Sequence, residues 1–358
     1  MILSAYVRRS AFLAMSAGVL ALWCLQMLFA YLAELDSLND TYQFTDALLY
    51  ILYRSPYFFV QFAPTGVLLG AVVGLGLLAG NSELLVMRAA GVSLYRIIGW
   101  VMIPALLFVA LSLSINQWLL PISNQYAAQK GKPLHDIISI NGYWTLVSDE
   151  QSQNKDVVYI SYADNKGNLG DIKRWRLADG QLVSALKANT GKYLQARDEH
   201  YEWQLDDVDM LKIHGYQTTT THNDSETLTL PIAPSSVHLL TKEPEDLSLT
   251  NLYDHRQLMI HQGTRSPRHE LAFWQKLLSP FAVLSLVLIA CSFVFGSLRS
   301  QSLGLRVVMA LLTGLLFSYL TDLSGFVALA MGWSPWLMAL LPIVLSALVG
   351  MYLLNKKG

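Results

Sequence analysis

Apolar and polar positions follow two rhythms along this chain. Six apolar runs are long enough to cross a bilayer as a helix, which takes about 20 residues. They lie near Ser10–Ala33, Phe58–Ala79, Ile97–Leu120, Phe273–Phe295, Val307–Ala330 and Trp336–Leu354. Between the third and fourth stands a polar block, Pro121–Glu270, in which apolar and polar residues alternate with a period near two. DVVYISY (Asp156–Tyr162), GQLVSALKA (Gly180–Ala188), HYEWQL (His200–Leu205) and VDMLKIHGY (Val208–Tyr216) read as strands, and DNKGN, ADG and NTG supply turns between several of them. About eight strands are expected, in an antiparallel sandwich or jelly roll. SLTNLYDHRQLMIHQG (Ser248–Gly263) then reads as a helix, with a polar N-cap and a terminal glycine. The fold class is an α-helical membrane protein with six spans, three on each side of an inserted antiparallel β domain.

One short element breaks the rhythm. GNSELLVMRAAGVSLYRI (Gly80–Ile97) joins the second and third runs, with too many charges for a span and too much apolar surface for a loop. Asn81 or Ser82 suits an N-cap, Glu83 falls in the first turn, and Gly91 is a natural stop. The helix between them is about 9 residues, roughly 13 Å long. Leu84, Met87 and Gly91 share one face, with Glu83 beside it, and Ser93 offers a cap for the third span. Its chemistry fits two readings equally well, an interfacial helix with snorkelling arginines or a docking element.

Composition sharpens the membrane reading. Of 358 residues, 53% are hydrophobic and 14% charged, where a soluble domain carries about a quarter charged residues. The β block holds 15 of the 25 basic and 20 of the 26 acidic residues. Outside it, Arg8, Arg9, Arg88, Arg96, Arg299, Arg306, Lys356 and Lys357 collect on one side against Glu83 alone. Glu34, Asp36, Asp40 and Asp46 lie on the other, opposed by Arg54. The positive-inside rule places both termini and the short helix in the cytoplasm, and the block in the periplasm. The N-terminal run is too long for a cleavable signal peptide, and the two cysteines, Cys24 and Cys291, sit inside apolar runs without metal or disulfide spacing.

Candidate chemistry is sparse. Gly131-Lys132 and Gly191-Lys192 lack the rest of a P-loop, so nucleotide has to be bound by a partner. No HExxH or GxSxG occurs, and no basic, nucleic-acid-binding composition is present, so the chain reads as no enzyme by itself. His255, His261 and His269 read as solvated helix-surface residues rather than ligands. Asp322 stands inside the fifth run, either as a functional group or as a partner in a helix–helix hydrogen bond beside Ser324 and Gly325. Lys276 and Arg54, near outer span ends, fit either interfacial anchoring or contact with an anion. Gly66, Gly70, Gly74 and Gly76 give the second run small-xxx-small spacings for close helix packing.

Ser82-Glu83-Leu84, Val86-Met87, Ala89 and Gly91 resemble the SELxVMxAxG motif of the LptF/LptG permeases of the lipopolysaccharide export ABC transporter. FGSLRSQSLGLRVV (Phe295–Val308) and Trp274 with Lys276 resemble segments of its G-type members, and the resemblance spans the whole chain. It implies that Ser82, Glu83, Leu84, Met87, Arg88 and Gly91 form a coupling helix seated in a cytoplasmic ATPase, with Glu83 as the key acid. It implies that the first and fifth spans line a substrate cavity, with Leu25, Phe29, Leu32, Phe317, Tyr319 and Leu320 as gate candidates and Arg54, Lys276 and Asp322 at the cavity. The implied substrate is lipopolysaccharide. The implied partners are an LptF-like permease subunit, two copies of an LptB-like ATPase that binds the ATP, and an LptC-like single-span periplasmic protein, with no cofactor of the chain's own. The family's lysines at the outer end of the first span are absent from LQMLFAYLAEL (Leu25–Leu35), which offers Tyr31 and Glu34 instead.

The expected organisation is residues 1–120 as three spans with the coupling helix at 81–91, residues 121–270 as the periplasmic β domain with a helical connector, and residues 271–358 as three spans. The setting is the inner membrane of a Gram-negative bacterium. Two rivals stand beside the G-type reading: the F-type subunit, and a non-transporting anchor that displays a periplasmic β adaptor.

Overall fold

Each of the six apolar runs is helical in the computed structural model of the chain, which describes residues 2–38, 42–130, 143–148, 155–163, 167–178, 181–197, 200–214, 217–230, 233–261, 266–296 and 301–355. In order they are α1 (Ile2–Leu35), α2 (Phe44–Gly80), the short α3 (Glu83–Ala89), α4 (Leu94–Ser114), a π-helical turn (Ile115–Leu119) and α5 (Leu120–Lys130). After the β region and α6 (Pro234–Thr241) come α7 (Leu249–His261), α8 (Pro267–Phe295), α9 (Leu303–Met331) and α10 (Pro335–Asn355). α2 starts 14 residues before its apolar run, because Asp46 and Gln43 close a capping box at its N-terminus and carry the helix through Arg54, Pro56 and Tyr57. α7 begins as expected, with the Asn251 amide donating to Ser248 Oγ at 3.2 Å. Gly263, Asp40, Arg299, Lys356, Lys357 and the Gly131-Lys132 pair lie outside the described residues.

Two compact units divide at residues 132/133 and 247/248. The helical unit takes in α5 and α7 as well as the spans. Its core joins Val7, Ala11, Met15 and Val19 of α1 to Val67, Ala71 and Leu75 of α2, Ile97 and Val101 of α4, and Leu286 and Ala290 of α8. α2 is the central helix, flanked by α1 and α9. A methyl group at Gly70 would strike the Met15 backbone, one at Gly66 would sit 2.6 Å from Val19 Cα, and one at Gly76 would meet Leu303 of α9 at 2.6 Å. The glycine spacing therefore serves packing within the chain, with α1 on Gly66, Gly70 and Gly74 and α9 on Gly76. Further out, α1 is held by side chains instead. Trp23 Nε1 donates to the Ser55 carbonyl at 2.8 Å, Tyr31 meets Phe44 edge-on, and Tyr42 Oη donates to Glu34 at 3.1 Å.

The second unit is one antiparallel sheet of six strands in sequence order: β1 (Tyr143–Ser148), β2 (Lys155–Ala163), β3 (Leu169–Ala178), β4 (Gln181–Arg197), β5 (His200–His214) and β6 (Gln217–Leu230). Among the described residues there are six strands where about eight are expected, and β4 and β5 are long, at 17 and 15 residues. HYEWQL and the stretch Val208–His214 are two halves of β5, continuous through Asp207, which holds φ at 60° without breaking the pairing register. One face carries Val158, Ile160, Ile172, Leu186, Ala188 and Val208, all buried, as the period-two alternation requires.

Candidate functional site

α3 is a two-turn element with a distinct start and stop. Ser82 occupies the N-cap position in the left-handed region, φ 61°, and its hydroxyl makes no capping bond. That departs from the expected side-chain cap, since a productive N-cap holds extended backbone angles that aim its oxygen at the N2 or N3 amide. Asn81 contributes instead, its Nδ2 lying 3.4 Å from Glu83 Oε1. At the other end Gly91 adopts φ 88°. Its amide donates to the Arg88 carbonyl at 3.0 Å, and the Val92 amide donates to Met87 at 3.1 Å. That bond pair is a Schellman motif, in which glycine takes the left-handed position without steric cost.

Leu84 and Met87 share one face of α3, as their spacing implies, and that face turns into the chain itself. Leu84 and Met87 are buried in the chain's own core with Leu75, Leu78 and Ile97. Leu85, Val86, Arg88 and Ala89 are exposed, and Glu83 is half-buried at the edge between the faces. Leu84 and Met87 thus anchor the helix, while Leu85, Val86 and Arg88 form the surface open to another molecule. Sequence spacing missed Leu85 and Val86; their i, i+1 neighbourhood gave no signal of which side the spans would take.

The other open surfaces lie on α1 and α9. Only 17% of the most apolar stretch of each is buried, against 39–61% in the other four spans. On α1 the exposed residues Cys24, Leu25, Leu28, Phe29 and Leu32 form a continuous stripe at helical spacing. On α9 the stripe runs through Leu312, Leu315, Leu316, Tyr319, Leu323 and Phe326. Phe317 lies off it, packed against the core, and Leu320 is half-buried beside it. Asp322 lies within the stripe, exposed and without a hydrogen-bond or ion-pair partner among the described residues. Ser324, its neighbour, turns inward and donates to the Thr321 carbonyl at 2.9 Å. Among the described residues, therefore, the chain itself supplies no helix–helix bond for Asp322.

Arg54 is half-buried, its guanidinium 4.7 Å from the centre of the Tyr57 ring, and Lys276 is half-buried on α8. These two cations are on different elements from the stripes. The histidines correct the surface reading. His255 is only 3% exposed and stacks on His269 with ring centroids 3.8 Å apart, while the side chain of His261 lies outside the described residues. Burial, then the neighbouring His269 ring, lowers the His255 pKa to about 4. The pair borders a cavity of about 190 Å³ between α7 and α8, with Arg256, Ser266 and Glu270 also in its wall. No group of three or more metal-ligating side chains occurs among the described residues.

Comparison with known proteins places the chain in a family. The sequence model of the family described as "Lipopolysaccharide export system permease LptF/LptG" matches residues 5–356. The lipopolysaccharide export system permease protein LptG of Haemophilus influenzae is 29% identical over 99% of this chain and 98% of its own length. The protein of the same name from Escherichia coli K12 is 28% identical over 100% and 99% respectively. With six membrane helices, an antiparallel sheet inserted after the third and a family match over nearly the whole length, the chain belongs to the LptF/LptG family of lipopolysaccharide export permeases.

Proposed function

We propose that the chain is the G-type half of the permease that takes lipopolysaccharide out of the inner membrane of a Gram-negative bacterium, with both termini in the cytoplasm and the β unit in the periplasm. Relatives named LptG over full length favour this over the F-type reading. The observation that carries the transport reading is Asp322 in the open stripe of α9. Even insertion-based scales charge about 2.5–3.5 kcal/mol for an aspartate at the centre of a lipid-facing helix. A stripe bearing one suits a partner subunit or a hydrated cavity better than bulk acyl chains. α1 leaves the matching open stripe, and α2 between them is packed too tightly by its glycines to be lined by lipid.

An LptF-like subunit of like topology supplies the other half of the cavity wall. Two copies of an LptB-like ATPase supply the ATP hydrolysis that this chain has no P-loop to perform, one of them gripping Glu83 and the outer face of α3. An LptC-like single-span protein packs at a gate and receives the lipid on the periplasmic side. The chain needs no cofactor of its own.

Photo-crosslinkers test the cavity. Placed at Phe29, Leu32 and Tyr319 they capture lipopolysaccharide, and at Leu345 and Leu348 on α10, equally exposed in this chain, they capture far less. ATP with the ATPase present lowers capture at the first set alone. Equal capture at both sets, indifferent to ATP, is contact with bulk lipid and refutes the cavity.

A further inference from the structure

Arg256 of α7 and Glu270 of α8 both stand in the wall of the cavity between those helices, with Arg256 Nη2 3.9 Å from Glu270 Oε1. That is an ion pair without a hydrogen bond, since a charge-assisted N–H to carboxylate bond closes at about 2.7–2.9 Å. Neither side chain makes a hydrogen bond among the described residues. The guanidinium is held instead by ring faces, 5.9 Å from the centres of both Phe273 and Trp274. Contact of that kind fixes its place and leaves its N–H donors unused. Trp274 Nε1 and His255 Nδ1 are buried and also lack a hydrogen-bond partner among the described residues. Buried polar atoms are ordinarily paired, so the head of α8 is short of polar partners.

Charge and depth narrow what supplies them. Arg256 and Glu270 give the wall its permanent charges, one of each sign. His255 is neutral near pH 7, because burial and then the His269 ring hold its pKa at about 4. α8 turns apolar at Leu271, directly after Glu270. Arginine and tryptophan at the start of an apolar span lie at the level of lipid headgroups. A matching ligand therefore carries an anion and an N–H cation a short link apart, at headgroup depth. Inorganic phosphate or an anionic headgroup sets a like charge against Glu270. A quaternary ammonium has no N–H to donate to it.

We propose that this cavity holds the headgroup of a zwitterionic phospholipid, phosphatidylethanolamine, with its phosphate on Arg256 and its ammonium on Glu270. The lipid is a fixed part of the wall that clamps α7 to the head of α8, on elements other than the α1 and α9 stripes.

Lipid capture in proteoliposomes tests this with the full-length permease. A photo-crosslinker is placed at Ile260, in the cavity wall, or at Leu345 on α10, outside it, as the reference. In vesicles of equal phosphatidylethanolamine and phosphatidylglycerol, capture at Ile260 is expected to favour the first about tenfold over the ratio at Leu345, the scale of one hydrogen bond to a charged group. Glu270→Gln is expected to abolish that preference, and Arg256→Gln to lower capture of both lipids at Ile260. Phosphatidylcholine in place of phosphatidylethanolamine is expected to remove it too, and that arm needs no substitution, so it decides the matter even where a variant loosens α7. Added inorganic phosphate is expected to leave capture unchanged. The same lipid ratio at Ile260 and Leu345 means a cavity of water or bulk lipid, and overturns the proposal. A preference that survives Glu270→Gln, or passes undiminished to phosphatidylcholine, overturns it as well. Full suppression of capture by inorganic phosphate marks a free-anion site and overturns the lipid assignment.

Discussion

Arg174 on β3 reaches Glu226 on β6 at 2.8 Å, although the β6 residue in register with it, through Leu186 and Met210, is Thr221. Three strand spacings alone are about 14 Å in a flat sheet, and five residues of offset add to that. The ion pair closes only because the sheet curls over its apolar face. Arg174 is buried on that face, between Val158 and Leu186, with Asp156 as a second and more distant carboxylate at 4.0 Å.

Glu226→Gln therefore leaves a buried guanidinium short of charge compensation. We expect a loss of about 2–3 kcal/mol in the β unit, below the cost of orphaning a fully isolated buried ion because Asp156 remains. Hydrogen exchange of β3 and β6 amides in the intact protein measures it. Unchanged protection would mean that the curl is held by the apolar face alone.

The α1–α2 seam makes a sharp contrast between two glycines. Gly70→Ala forces α1 and α2 apart, and overpacking of this kind costs roughly 1–3 kcal/mol. Gly80→Ala, with nothing within 4 Å of the added methyl, is expected to be neutral or slightly stabilising. Thermal unfolding in detergent separates the two.

At α3 the backbone angles set the signs. Ser82→Gly releases a left-handed strain of about 1 kcal/mol, whereas Gly91→Ala imposes a comparable one. Protease resistance of the α2–α4 connection is expected to rise in the first and fall in the second. The reverse order would contradict the Schellman stop.

Six spans, their order and the α3 stop were legible because each depends on local chemistry: apolar length, a glycine, a charge in the first turn. The inward turn of Leu84 and Met87 was not, since it is decided by Leu75, Leu78 and Ile97 on other helices. The exposure of Leu85 and Val86 followed from the same tertiary choice. The Arg174–Glu226 pair depends on sheet curvature, which register alone does not encode. The His255–His269 stack joins α7 to α8, and a histidine carries no spacing signal for burial.

Acid acts on that stack with a definite sign. His255 titrates lower when docked, about 4, than its ordinary value of 6.5. The undocked state then binds more protons between these values, so docking of α7 on α8 is full above pH 6.5 and weakens as pH falls toward 4. Hydrogen exchange of α7 amides across pH 4–7 should show protection decline in that window, and less steeply in His255→Gln. A flat profile in the parent protein would exclude His255 as the group responsible.

The seating of α1 on α2 changes character along its length, and this sets where the span yields. From Ala11 to Val19 the joint is backbone against backbone, a dry weld that nothing can enter. Beyond it the attachment is a few fasteners that can be counted: Trp23 to the Ser55 carbonyl, Tyr31 on Phe44, and Glu34 to Tyr42. A span clamped at one end and buttoned at the other behaves as a cantilever. Sideways movement of the span is expected at the buttoned end, with its fulcrum near Gly18 and the N-terminal root left in place.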